Sequence, residues 1–362
     1  MAENKNILPF GCKIAVVTCT VSVHEEEFRS AQQLVAKYGA ASIVHVTWPE
    51  NFMAEQEQMI RIFAALAADM QIRVLIITNA VPGTNAAVDR LLETRDDIFI
   101  VYCSPQEALS AVAGRAGLML GINNLGMGSA MVQQAKKQGA KVFIHYSFRR
   151  HMAEKLLSGR RDLIRSTCIK ENLLFIDAEA PDPTEGSGLA NARQFMLEEV
   201  PRMVARYGED TAFFCTNCHL QMPLIKAVVD CHAIYVQPCC PSPYHGFPQA
   251  LGIDTDKSLA DLNYLIGEAS RIAEERNMND RLSTWPVSAC MLFMNAGAEY
   301  AVKWINEEVP RAGVDDEALA DCMNAYVKEV VGEASNVYIR SYSDESITYD
   351  NFKQILMSYL DF

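Results

Sequence analysis

The sequence predicts an α/β protein made of two doubly wound parallel-sheet lobes joined by a hinge. Two stretches, 13–146 and 172–237, each alternate short β-branched runs with amphipathic helical segments. The runs are apolar throughout, as strands covered on both faces must be. The chain passes from one stretch to the other at His145–Arg150, which makes that segment the hinge. Two such lobes leave a cleft, and a cleft of this kind holds a small molecule.

The first run, Ile14-Ala15-Val16-Val17, has the length and branching of a buried parallel strand. Residues 25–38 follow with helical spacing at Phe28, Ala31, Leu34 and Val35 and a stop at Gly39. A strand over 42–47, a helix over 55–70, a strand over 74–78 and a helix over 86–92 continue the alternation. Strands over 98–102 and 118–122, a helix over 126–138 and a strand over 141–146 complete a first lobe at 12–147. A helix over 149–168 opens the second lobe, 148–284, whose strands are 173–177, 212–215 and 233–236. Helices at 194–207 and 223–230 lie between those strands. From Asp256 the pattern is mostly helical: 259–276, 289–309 and 316–334, then a strand over 337–340 and a terminal helix over 351–360. Segment 285–362 is thus expected to be a largely helical return, part of it packed on the first lobe.

Composition narrows the function classes. A length of 362 residues suits two domains with cores of their own. A net charge of −13 argues against direct contact with nucleic acid, which needs surplus Lys and Arg. No apolar run approaches the roughly 20 residues that span a bilayer. Residues 1–11 hold Glu3 and Lys5 and no apolar stretch of signal-peptide length, so the face-value compartment is the cytoplasm. The alternative is an extracytoplasmic protein whose leader has been removed. Eleven cysteines are too sparse for a disulfide scaffold, and reduced, mostly buried thiols are the simplest reading.

In parallel sheets, ligands bind beyond the carboxyl ends of the strands. Read there, the first lobe offers Thr18, Thr20, Asn79, Ser104, Asn123 and Asn124, and the second offers Asp177, Asn217 and Gln237. The crossover adds Tyr146, Ser147 and Arg149, and a Pro-flanked loop adds Tyr244. Amides and hydroxyls dominate, which suits a polar, largely neutral solute, or an anion gripped by Arg149. Each Asn, Ser or Thr is equally a natural cap for the helix that follows it. Arg150, Arg160, Arg161 and Arg165 read as a solvated basic face. Trp48, Trp285, Tyr146 and Tyr244 are candidates to stack on a flat ligand but as a group are more often core, with Tyr244 and Trp285 in Pro-flanked loops that can leave them exposed. Asp182 and Glu185 read as a solvated turn. Gly121–Gly128 opens a helix but lacks the Lys-Ser/Thr of a phosphate loop, so a tight turn is the better reading.

The order of elements resembles the type I periplasmic-binding-protein superfamily, which includes LacI-type effector domains. The residues that carry the likeness are 16–20 (VVTCT), 122–128 (INNLGMG) and 213–217 (FFCTN). More narrowly, the chain is similar to an uncharacterised bacterial branch that includes lipoproteins, through 45–49 (HVTWP), 145–148 (HYSF), 180–183 (APDP) and 239–246 (CCPSPYHG). The resemblance implies solute binding or ligand sensing by lobe closure. It implies a transporter or signalling partner, and a second copy of the chain is a further candidate partner. About a dozen residues precede the first strand, too few for a helix-turn-helix domain. Asn217 stands where sugar-binding relatives often place Asp, and a lipoprotein leader is lacking.

Between 215 and 245 lie Cys215, Cys218, Cys231, Cys239, Cys240, His219, His232 and His245. Cys215-Thr-Asn-Cys218-His219 spells a haem-attachment pattern, but its first Cys ends an apolar strand, which argues against haem. A redox pair and a metal site built from Cys215, Cys218, Cys239, Cys240 and a histidine are the sharper readings. Buried or rim thiols without any cofactor are the expected state. The leading function is therefore solute binding or sensing. An enzyme or redox/metal protein working through these cysteines is the alternative, and the effector-sensing component of a transcriptional regulator is the third.

Overall fold

Parallel pairing turns the alternation in the sequence into two sheets. The structure, a computed structural model, describes residues 10–185, 188–254, 256–257, 261–332, 335–343 and 347–362. In chain order, β1 (Lys13–Thr18), α1 (Glu25–Tyr38), β2 (Ile43–Thr47), α2 (Gln56–Ala68) and β3 (Ile72–Ile77) come first. They are followed by α3 (Thr84–Leu92), β4 (Phe99–Cys103), α4 (Leu109–Val112) and β5 (Leu118–Ile122). Next come α5 (Gly126–Lys137), β6 (Val142–Ser147), α6 (Arg149–Met152), α7 (Lys155–Glu171), β7 (Leu174–Glu179) and α8 (Gly188–Tyr207). Then follow β8 (Thr211–Cys215), a 3-10 turn (Cys218–Leu220), α9 (Gln221–Asp230), β9 (Ile234–Tyr235), α10 (Phe247–Leu251), α11 (Leu262–Glu275) and β10 (Ser283–Thr284). The chain ends with α12 (Ala289–Ile305), α13 (Asp316–Val331), β11 (Val337–Ser343), β12 (Thr348–Met357) and β13 (Leu360–Asp361).

The chain divides into one unit of residues 1–122 and 289–355 and another of 123–288 and 356–362. The first holds a seven-stranded sheet in the order β11-β12-β5-β4-β3-β1-β2. From β2 to β12 the neighbours pair in parallel. One face of this sheet packs on α2 and α3, where Trp48 stacks on Phe63 with ring centroids 5.2 Å apart. Helix α12 lies on β3, β4 and β5. It comes close because Gly297 faces Val101: a Cβ there would sit 3.3 Å from that side chain. Its neighbour α13 starts on Asp315, whose carboxylate accepts from the Ala318 N–H at 3.0 Å, and ends on Gly332 in the left-handed region.

The second unit holds a parallel sheet in the order β7-β6-β8-β9. Its core includes Phe143, Tyr146, Phe213 and Phe214, all fully buried. Helices α5 and α7 pack together, as do α8 and α9. A Cβ at Gly128 of α5 would lie 3.0 Å from the Arg160 carbonyl, so glycine is what lets α7 approach. Strands β10 and β13 pair antiparallel, which returns the C-terminus to this unit.

Three expectations are corrected. The strand at 142–147 belongs to the second sheet, because it pairs with β7 and β8, so the division falls at 122/123 instead of 147/148. The helix expected over 149–168 is two helices, α6 and α7. The terminal helix expected over 351–360 is β12 and β13, and the return segment is correspondingly less helical. The spacing of Phe352, Ile355 and Leu356 suits a helix, but the open edge of β5 supplies a ladder that overrides it. Lys353 is held in that strand by Ser341 at 2.8 Å and Asp316 at 2.7 Å. Positions 259–260 and 333–334 of two expected helices lie outside the described residues. Among the described residues no helix is long and apolar enough to cross a membrane.

Ile355 is fully buried on β12. Ile355→Ala is expected to destabilise the protein by about 2–4 kcal/mol in urea unfolding. A loss near zero would contradict a packed strand at this position.

Candidate functional site

Because strands β1, β3 and β4 run parallel, Thr18, Asn79 and Ser104 follow their carboxyl ends at one edge of the first sheet. Thr18 is buried, donates to the Cys19 carbonyl at 2.7 Å and contacts His45 Nε2 at 2.8 Å, so its hydroxyl is committed internally. Thr20 is half-buried and shares its hydroxyl with Ser22 at 2.9 Å. Asn79 accepts from Gln106 Nε2 at 2.8 Å. Asn79 and Ser104 both sit in the left-handed region, φ 45° and 49°, a conformation costly for residues other than glycine. Two neighbouring strand ends share that strain.

Glu27 is a site residue that sequence reasoning missed. It lies in the first turn of α1, where an acidic residue reads only as a match to the helix dipole. In the structure it is fully buried, accepts from the Cys19 N–H at 3.1 Å and bonds the Thr78 hydroxyl. Its Oε2 is buried with no hydrogen-bond partner. Burial raises its pKa, against the lowering effect of Thr78 and His24.

In the second unit, Ser147, Arg149, Asp177 and Glu179 meet at the carboxyl ends of β6 and β7 and line a cavity of about 300 Å³. Arg149 and Glu179 are exposed there, and among the described residues neither side chain has a hydrogen-bond or ion-pair partner. Asp177 is engaged instead. The hydrogen bond from His145, and then Arg161 at 2.7 Å, hold its pKa down to about 2. Ser147 bonds Thr216 at 2.9 Å. Tyr146 is core, stacked on Phe213, with its buried hydroxyl unpartnered. Asn123 and Asn217 cap the turns that follow them, accepting from the N–H groups of Gly126 and His219 at 2.9 Å. Asn124 is half-buried. Gln237 is buried, donating to the Pro238 carbonyl at 3.1 Å and accepting from Tyr359 at 2.5 Å. Tyr244 is buried in the loop before α10. Of the arginines read as a solvated face, Arg150 pairs with Asp182, Arg161 and Arg165 pair with Asp177, and Arg160 is buried.

The cysteines gather where β8 and β9 end. Cys218 Sγ lies 3.3 Å from Cys239 Sγ and 3.9 Å from Cys240 Sγ, and the last two are 4.0 Å apart. With His245, one ligand atom from each of the four falls within 4.8 Å of all the others. Cys215 is outside the group. It ends β8 in the core, and burial pushes its thiol up to about 12. The thiols of Cys239 and Cys240 hydrogen-bond to Cys218 and hold its pKa far below the usual thiol range, while Cys239 is pushed up. The sequence named His245 among three histidines that could join these cysteines, and the fold shows that it is the one beside Cys218, Cys239 and Cys240.

Residues 12–283 match the family described as "Protein of unknown function (DUF3798)". The chain belongs to that family. A protein of Treponema pallidum (strain Nichols), described as uncharacterized, is 32% identical to this DUF3798 chain over 165 residues, 46% of the chain and 76% of the relative. A solved structure from Clostridium difficile 630, described as a candidate transcriptional regulator, matches with a TM-score of 0.86 at 20% identity, covering 97% of this chain and 99% of that one. A sugar ABC transporter from Actinomyces odontolyticus ATCC 17982 matches with a TM-score of 0.55 at 8% identity, covering 83% and 85%. The DUF3798 chain therefore has the type I periplasmic-binding-protein fold.

The raised pKa of Glu27 gives a pH test. The folded state favours its protonated form, so the stabilisation is complete below the ordinary carboxyl range and is lost as pH rises through the raised folded-state value. Glu27→Gln is expected to match wild type in thermal unfolding at pH 4. At pH 8 it should be more stable, by on the order of 1 kcal/mol, the scale of one buried polar group. A variant less stable than wild type at pH 8 alone would contradict this.

Proposed function

We propose that this DUF3798 protein binds a small polar solute and closes its two lobes around it. The observation that carries the reading is the cavity at the ends of β6 and β7, where Arg149 and Glu179 are both unengaged among the described residues. A guanidinium offers two parallel donors to a carboxylate, phosphate or vicinal hydroxyl pair, and a carboxylate accepts from hydroxyl or amine. The strained strand ends at Asn79 and Ser104 support recognition on the first lobe as well. Binding energy would bias an open–closed equilibrium, and a transporter or signalling protein would read the closed state. An extracytoplasmic place of action goes with a transporter partner.

A ligand-sensing role in a regulator is the second reading, favoured by the description of the Clostridium difficile structure. It shares the same binding step.

The test is calorimetry of the purified protein against a panel of sugars, nucleosides and amino acids. One class is expected to bind, with Arg149→Ala weakening it by about 1.5–3 kcal/mol, the scale of a charge-assisted hydrogen bond. Small-angle scattering of the protein with that solute should show compaction. Tight binding with unchanged dimensions would contradict closure.

A further inference from the structure

We propose that Cys218, Cys239, Cys240 and His245 hold a tetrahedral zinc ion that ties the loop after β8 to the loop after β9. This site is independent of the solute reading. A zinc ion bound by sulfur at about 2.3 Å places tetrahedral sulfurs about 3.8 Å apart. The three Sγ separations here, 3.3, 3.9 and 4.0 Å, surround that value, and the imidazole completes the set within 4.8 Å. A disulfide would use only two of the three sulfurs and needs a separation near 2.05 Å. Three thiolates and one imidazole suit zinc over magnesium or calcium, which prefer oxygen ligands.

A second observation, separate from the sulfurs, is Arg160. It is 2% exposed, its Nε is buried with no hydrogen-bond partner, and among the described residues no carboxylate pairs with it. A buried cation needs an anion. Its guanidinium lies 5.2 Å from the Phe214 ring centroid, and negative charge on Cys239 and Cys240 favours its charged form. Zinc with three thiolates and a neutral imidazole carries one net negative charge, which Arg160 balances. The close packing at Gly128 brings α7, and with it Arg160, into this position.

The outer contacts fit as well. His245 Nδ1 lies 3.0 Å from the Cys240 carbonyl, and a proton donated there leaves Nε2 with the lone pair a metal takes. Asn217 fixes the turn that presents Cys218 by accepting from the His219 N–H at 2.9 Å, and Pro241 and Pro243 stiffen the loop between Cys240 and His245. Four protein ligands make a closed site, so the ion is structural, and its binding releases whatever protons the thiols still carry.

Elemental analysis of the full chain, purified under reductant without chelator, is expected to find about one equivalent of zinc. Cys239→Ser or His245→Ala should reduce it to a small fraction, while Cys231→Ser, in the turn after α9, should leave it unchanged. Should those variants fail to fold, cobalt titration of the demetallated wild type reads the same site. A thiolate-to-cobalt charge-transfer band should saturate at one equivalent, and Arg160→Gln should weaken the affinity about 10–100-fold. Absence of both zinc and that band, or a Cys218–Cys239 disulfide in protein alkylated directly in the lysate, would overturn the proposal.

Discussion

Parallel strand pairing is the constraint on which the rest of this structure depends. From β2 to β12 in the first unit and from β7 to β9 in the second, the hydrogen-bond ladder aligns the strands the same way, so their carboxyl ends reach one edge of each sheet. Interior strands covered on both faces leave the strand ends as the main place where polar groups can face a solute. Ser104, Arg149, Glu179, Asn217 and the Cys218 turn therefore stand at strand termini. The larger cavity, about 510 Å³ beside Ile98, Phe99, Gly117 and Trp304, lies where β4 and β5 begin. It sits at the opposite edge of the first sheet from Asn79 and Ser104, so its size is outweighed by its position.

Charge organises the second unit as strongly as packing does. Asp177 gathers His145, Arg161 and Arg165, and Asp182 gathers Arg150 through a two-pronged contact at 2.8 and 3.0 Å. Among the described residues, those pairs leave Arg149 as the arginine of that stretch with an unengaged guanidinium at the cavity, and Arg160 as the one buried without a carboxylate. The two arginines thus point to different chemistry, one toward a solute and the other toward a thiolate-bound ion.

Much of the fold was legible because buried strands and amphipathic helices leave distinct periods. Residues 25–38 and 118–122 matched the sequence reading at both ends. Sheet membership was not legible: the apolar run at 142–146 reads as a strand for either sheet, and only its pairing with Leu174–Glu179 assigns it. Strand β12, between β11 and β5, was masked by its helical spacing. In the site, sequence ended β7 at Asp177 where it runs on to Glu179, so that cavity residue was missed, and sequence could not tell which face each side chain takes. Thr18 and Tyr146 turned inward, whereas Arg149 turned out. Glu27 left no local signal, and His245 stood in the sequence as one of three candidate histidines, because each gains its place from residues distant in the chain.

Crystals of the protein soaked with mixed sugars, nucleosides and amino acids offer the most direct measurement of where recognition occurs. Ordered solute density is expected at the carboxyl ends of the strands, beside Arg149 and Glu179. Density confined to the cavity around Phe99 and Trp304, with the carboxyl ends empty in every mixture that binds, would contradict the proposed recognition edge.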